Sequence, residues 1–352
     1  MKSSWAGAVV AAISIGVAVA IDRPIIAVVS HPAARPDEPC SGECEYLAAS
    51  YVKWIESAGG RAVRMPYNIT AAEAEDLLSQ VNGLLLPGGE ADLPAGVRHA
   101  INHVVEMNAK GDFFPLWGTC LGLEWLAMAL SGDDSTIEAG YDASNINYAL
   151  VYTRDARWSK LVRQLPPRVR AAMELEALTF NSHSKGLSPQ TYAANQNLQR
   201  AMHVISINYD RQNKPFVSAM EGNRSNFEFG TLPDGSPMEA INHSEMAVAS
   251  SWHLARAFMH FARKNDHTFR SPAEEAAALL STQPTTQIFA PKFMETYVFT
   301  AGADDGGAAA AAAQQQRQRE EAIAKAARAA AKRRPVAFNL RGAAPQEALA
   351  VA

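Results

Sequence analysis

The chain has 352 residues, enough for one large α/β domain with extensions or for two domains. A net charge of −4 and a pI near 6.2 leave no basic footprint for nucleic acid, so no nucleic-acid partner is expected. Three cysteines are too few for a disulfide framework; Cys40 and Cys44 fit either a pair formed in an oxidising compartment or two free thiols.

Residues 1–20 read as a signal peptide. Lys2 gives a short positive region, Ala6 to Ala20 is apolar, and Ala18-Val19-Ala20 fits small-x-small cleavage. The apolar run is shorter than the ~20 residues a transmembrane anchor needs, so no membrane association is expected once it is cleaved. Sequons at Asn68, Asn223 and Asn242 are compatible with the secretory route. The mature chain then alternates apolar runs with helical patterns, the signature of a parallel sheet covered on both faces.

Pro24 to Ser30 is a continuous β-branched run, as a strand buried on both sides should be. Tyr46 to Ala58 reads as a helix stopped by Gly59-Gly60, and Arg61 to Met65 as a second strand. Thr70 and Glu73 have capping-box spacing and open a helix to about Gln80. Gly83 to Pro87 is a third strand ending in Gly88-Gly89; a helix follows from Gly96 to Lys110, then a strand from Phe114 to Trp117. Gly132 to Pro189 is expected to add antiparallel strands, with a helix from Asp155 to Leu165. His203 to Tyr209 and Phe216 to Glu221 read as neighbouring strands, and Glu245 to Lys264 as a final amphipathic helix. His253 and His260 share a face of that helix without a third ligand nearby, so they read as packing residues and no metal site is expected. Residues 301–352 are an Ala-rich, low-complexity tail with a basic stretch from Arg328 to Arg334.

Chemistry concentrates in Gly118-Thr119-Cys120-Leu121-Gly122. Small residues on both sides of a cysteine let a strand turn sharply into a helix, a nucleophile elbow with sulfur in place of oxygen. The helix from Leu121 is expected to hold Cys120 at its positive end and favour thiolate. By the rule for open α/β sheets, Gly88-Gly89 and Cys120 both lie beyond strand carboxyl ends. The N–H groups of Gly89 and Leu121 are therefore the candidate oxyanion hole. Glu124, one turn on, either contacts substrate or faces the neighbouring strand.

Trp117 to Gly122, Pro87-Gly88-Gly89 and Tyr46 to Lys53 resemble the gamma-glutamyl hydrolases, relatives of the class I glutamine amidotransferases. The likeness continues through Thr179 to His183 and Val217 to Gly222, and ends near Asn265. It implies a flavodoxin-like three-layer α/β/α sandwich with a mainly parallel central sheet over residues 21–300. It also implies hydrolysis of gamma-glutamyl bonds in folate polyglutamates through a Cys120 thioester, without metal or organic cofactor, in a vacuolar, lysosomal or extracellular setting. His183 matches a family position near the active site, as a substrate-binding group, a substitute base or an ordinary loop histidine. A homodimer is left open. One departure stands out: the family's general acid/base histidine lies in a Trp-His-Pro-Glu stretch, and here Glu221-Gly222 runs directly into Asn223-Arg224-Ser225-Asn226. The competing readings are a binding protein that kept the pocket and lost turnover, and an ammonia-supplying glutamine amidotransferase. The signal peptide argues against the latter.

Overall fold

In the strand Ile25–Val29 every residue is buried, which a single half-buried sheet face cannot produce. A computed structural model describes residues 21–33, 44–222, 228–229, 240–288 and 295–300, and its elements follow in chain order. The first part comprises β1 (Ile25–Val29), β2 (His31–Pro32), β3 (Cys44–Ala48), α1 (Ala49–Ser57), β4 (Arg61–Met65), α2 (Ala71–Leu78), β5 (Gly83–Leu86), α3 (Ala95–Ala109), β6 (Leu116–Gly118) and α4 (Leu121–Ser131). The middle carries β7 (Glu138–Tyr148), α5 (Lys160–Gln164), α6 (Pro167–Leu175), β8 (Thr179–Gly186), α7 (Pro189–Ala194), α8 (Gln196–Ala201), β9 (Met202–Tyr209) and β10 (Pro215–Gly222). The last part holds β11 (Glu228–Phe229), α9 (Glu245–Ala262), α10 (Pro272–Ala278) and β12 (Thr296–Thr300). The signal peptide and the Ala-rich tail lie outside the described residues.

The central sheet is parallel, in the order β4-β1-β5-β6. Alternate side chains enter two different cores. Ile25, Ala27, Val29, Leu84 and Leu86 pack with α2, α3 and α4, while Ile26, Val28, Leu85 and Trp117 pack with α1 and α9. The result is the helix–sheet–helix sandwich expected of a doubly wound, flavodoxin-like fold. The chain leaves β1 for β4 on one side and returns to β5 on the other, so a crevice opens at the carboxyl ends of β1 and β5.

Three predicted elements differ. The helix expected from Tyr46 starts at Ala49, because Cys44–Ala48 is a strand pairing with β2 on one side and β12 on the other. Those ladder bonds hold Tyr46 and Leu47 extended, and β12 lies too far along the chain to be anticipated locally. The helix expected over Asp155 to Leu165 is broken into a 3₁₀ turn, Arg154–Trp158, and α5, because Ser159 leaves the helical conformation and caps Val162. His183, read as a loop residue, sits on β8. The antiparallel pairs expected downstream are present as β7 with β8 and β9 with β10. Cys44 is disulfide-bonded and Cys120 is free; Cys40 lies outside the described residues.

Candidate active site

Cys120 stands between β6 and α4 with φ 56° and ψ −105°, a left-handed conformation that a residue with a Cβ adopts at a cost of ~1–3 kcal/mol. Two glycines make the bend possible. A Cβ on Gly122 would lie 2.1 Å from the Leu86 carbonyl oxygen, and one on Gly118 would lie 2.7 Å from the Gly122 carbonyl carbon. The helix therefore starts against the end of β5, and the N–H groups of Gly89 and Leu121 both donate to the Cys120 sulfur. These are the two donors expected for the oxyanion.

The Gly89 donor is held from behind. Tyr51, on α1, accepts the Gly88 N–H at 2.7 Å and so fixes the peptide that leads into Gly89. His31, just past β1, packs its ring on Trp125 with centroids 5.5 Å apart, and a Cβ on Gly89 would sit 3.1 Å from its Nε2. Trp125 in turn donates to the Ala91 carbonyl at 3.3 Å, pinning the loop that follows. Composition alone gave no signal for His31 or Tyr51, since both act through backbone that lies far away in sequence.

A cavity of about 40 Å³ opens on the sulfur, lined by Cys120 and Glu124 from α4, Asn181, His183 and Lys185 from β8, and Ser218 from β10, among others. Cys120, Glu124 and His183 are thus brought together, while Gly89 and Leu121 approach the sulfur through their N–H groups. Glu124 lines this cavity opposite residues of β8. Lys185, which the sequence reading did not single out, supplies the nearby positive charge that pulls the Glu124 pKa down.

The expected thiolate is not favoured. Burial pushes the Cys120 thiol well above its ordinary range and the Glu124 carboxylate raises it further, against the lowering effect of the Gly89 and Leu121 N–H groups. The helix end is present, but in a site this dry it does not outweigh desolvation. Ionisation of the sulfur therefore needs a base. His183 has one suitable nitrogen: its Nδ1–H donates to the Lys185 carbonyl at 2.8 Å, leaving Nε2 as the unprotonated nitrogen of a neutral ring. Burial lowers its pKa, and the Phe216 ring meets it edge-on with centroids 4.6 Å apart. Glu221, just before the departure from the family pattern, is engaged at the start of α5. It is 1% exposed and accepts from the Ser159 hydroxyl and from the Lys160 and Leu161 N–H groups.

Glu124 titrates within reach of neutral pH: burial lifts it from 4.5 to about 7. The folded state then keeps a proton that the unfolded chain has lost across that window, so this carboxyl subtracts from stability as pH rises from about 4.5 through 7. A rise from 4.5 to about 7 corresponds to on the order of 3 kcal/mol. Glu124→Gln is expected to be near-neutral at pH 4.5 and stabilising by up to that amount at pH 8, read from urea midpoints at both pH values. A gain of equal size at both would refute a buried, raised carboxyl.

Residues 24–139 match the Peptidase C26 family model. The gamma-glutamyl hydrolase of Rattus norvegicus is 34% identical over 274 residues, covering 73% of this chain and 83% of that protein. The Homo sapiens gamma-glutamyl hydrolase is 33% identical over 267 residues, covering 72% and 83%. The chain belongs to the gamma-glutamyl hydrolase family. Gamma-glutamyl hydrolase B of Dictyostelium discoideum is more distant, 28% identical over 299 residues and covering 81% of this chain and 85% of that one. Membership of the gamma-glutamyl hydrolase family fits the elbow, the paired N–H donors and the doubly wound sheet, all of which stand within or beside the matched residues.

Proposed function

We propose that this chain is a cysteine-type gamma-glutamyl hydrolase acting on folate polyglutamates, with a catalytic apparatus that is incomplete as the sequence stands. The observation that carries the reading is Cys120 at a left-handed elbow with the Gly89 and Leu121 N–H groups on its sulfur. The sulfur gives up its proton and attacks the gamma-carbonyl carbon, and the carbonyl oxygen takes the negative charge under the two N–H donors. The C–N bond breaks, the amine leaves with a proton, and a thioester remains on Cys120. Water then adds to the thioester and releases the gamma-carboxylate and the thiol.

Two proton transfers in this sequence need a positioned group, and the family's Trp-His-Pro-Glu histidine has no counterpart between Gly222 and Asn226. Substrate therefore binds, while acylation and release of the amine are slow. A non-catalytic gamma-glutamyl-binding protein is the second reading, favoured by the raised Cys120 thiol. The test is single-turnover and steady-state hydrolysis of a pteroyl diglutamate by the purified chain, beside calorimetric binding. Binding with turnover lost in Cys120→Ala is the expected result for an impaired enzyme; binding with a residual rate unchanged by Cys120→Ala supports the second reading. A normal enzymatic rate abolished by His183→Ala would mean that His183 supplies the base.

The secretory destination rests on Ala18-Val19-Ala20 and is a proposal of the same kind. Among the described residues no helix is long and apolar enough to cross a membrane. Mature protein from its source is expected to begin near Ile21; an intact Met1 terminus recovered from the cytosol would remove the assignment. A homodimer would appear as a concentration-dependent doubling of mass in sedimentation.

A further inference from the structure

Away from the cavity, α2 and α3 pack side by side, with Ala74 and Leu78 of one and Val97, Ala100, Ile101 and Val104 of the other in the same core. At the solvent edge of this seam stand Glu75 on α2 and His99 and His103 on α3. The two histidines are one helical turn apart and so share a face, with ring centroids 6.1 Å apart and planes only 20° from parallel. Glu75 Oε1 lies 2.8 Å from His99 Nε2 and 3.9 Å from His103 Nδ1. One ligand atom from each residue falls within 4.8 Å of the other two.

We propose that Glu75, His99 and His103 form a binding site for a borderline divalent cation, Zn²⁺ foremost, with Cu²⁺ and Ni²⁺ as its chemical neighbours. Around a tetrahedral Zn²⁺ with bonds of about 2.0–2.1 Å, ligand atoms stand about 3.3 Å apart. Two of the three separations, 2.8 and 3.9 Å, straddle that spacing and the third lies within 4.8 Å, so side-chain rotations bring the three donors onto one ion. Two imidazoles and one carboxylate suit Zn²⁺, whereas a hard cation such as Mg²⁺ prefers an all-oxygen shell. The backbones are fixed by the apolar core beneath, so the donors are presented without ordering a loop. Water completes the coordination on the open side, since His99 and Glu75 are both exposed. Lys110, a cation whose charge also reaches Glu75, lies 3.5 Å from Glu106 at the end of α3. The ion would clamp α2 to α3, a role separate from Cys120 chemistry.

The experiment is calorimetric titration of the full, EDTA-stripped chain with ZnCl₂ at pH 7.5, with thermal unfolding in parallel. One equivalent is expected to bind and to raise Tm, because the ion binds the folded state in preference. Loss of an outer-shell partner already weakens metal sites about 10–100-fold, so His99→Ala and His103→Ala should each weaken binding at least that much. MgCl₂ is expected to produce neither heat nor a Tm shift. His99→Gln/His103→Gln serves where an alanine variant unfolds, with metal-free Tm as the folding control. Undiminished one-equivalent binding in that double variant, or no Zn²⁺ binding by the unaltered chain at 100 µM, overturns the proposal.

Discussion

Inserting a Trp-His-Pro-Glu segment after Gly222 is expected to raise gamma-glutamyl turnover by ~10²–10⁴ over the chain as it stands, the usual worth of a positioned general acid/base. Cys120 is buried and its thiol is pushed up, so it does not ionise unaided. Glu221 is consumed as a buried acceptor at the start of α5. Among the described residues, Glu228 and Phe229 pair with Met220 and Ala219 of β10, only six residues after Gly222, so a segment inserted there enters between two paired strands. The restored rate should also show a pH profile with a new ionisation near neutrality, while binding of a pteroyl diglutamate changes little. A restored segment that folds yet leaves turnover unchanged would move the missing function elsewhere. Transcript sequence across Gly222 and Asn223 bears on the same point: a message encoding the segment restores an ordinary hydrolase, and a continuous one leaves a pseudoenzyme.

Gly122→Ala is expected to damage stability and the Cys120 elbow together. The added Cβ would meet the Leu86 carbonyl oxygen at 2.1 Å and its carbon at 2.7 Å, and both belong to the backbone of a central strand. Neither can swing aside as a side chain would. Overpacking of this kind typically costs ~1–3 kcal/mol and more where backbone must move. The shift would fall on the start of α4, displacing the Leu121 N–H from the sulfur, so stability and Cys120 chemistry should decline together. Denaturant midpoints and the rate of Cys120 alkylation read the two effects separately. An unchanged midpoint would show that the elbow has slack that the contact distances deny.

The elbow and its two donors were legible because their cause is local. A glycine on each side of Cys120 and a Gly-Gly pair after an apolar run report backbone geometry directly, and backbone geometry is what brings the Gly89 and Leu121 N–H groups to the sulfur. Strands β1 and β5 were legible for a similar reason: burial on both faces forces unbroken apolar runs. By contrast, β3 was misread as helix because its partner β12 is separated from it by most of the domain. Long-range ladder bonds overrode the local helical pattern of Tyr46 and Leu47.

By itself the sequence determined the doubly wound plan, the sharp turn that carries Cys120 between its glycines, and the departure from the family pattern after Gly222, since each depends on residue type at short spacing. The state of those groups was decided by tertiary structure. Only packing makes Cys120 a buried, reluctant thiol instead of the thiolate expected from its helix end, because desolvation depends on everything that surrounds the sulfur. Only packing carries Glu124 to about 7, places His31 and Tyr51 behind Gly89, and sets Glu75 against two histidines of another helix. These are properties of side chains distant in sequence meeting in a low-dielectric interior or along a helix seam, and no short stretch of sequence encodes them.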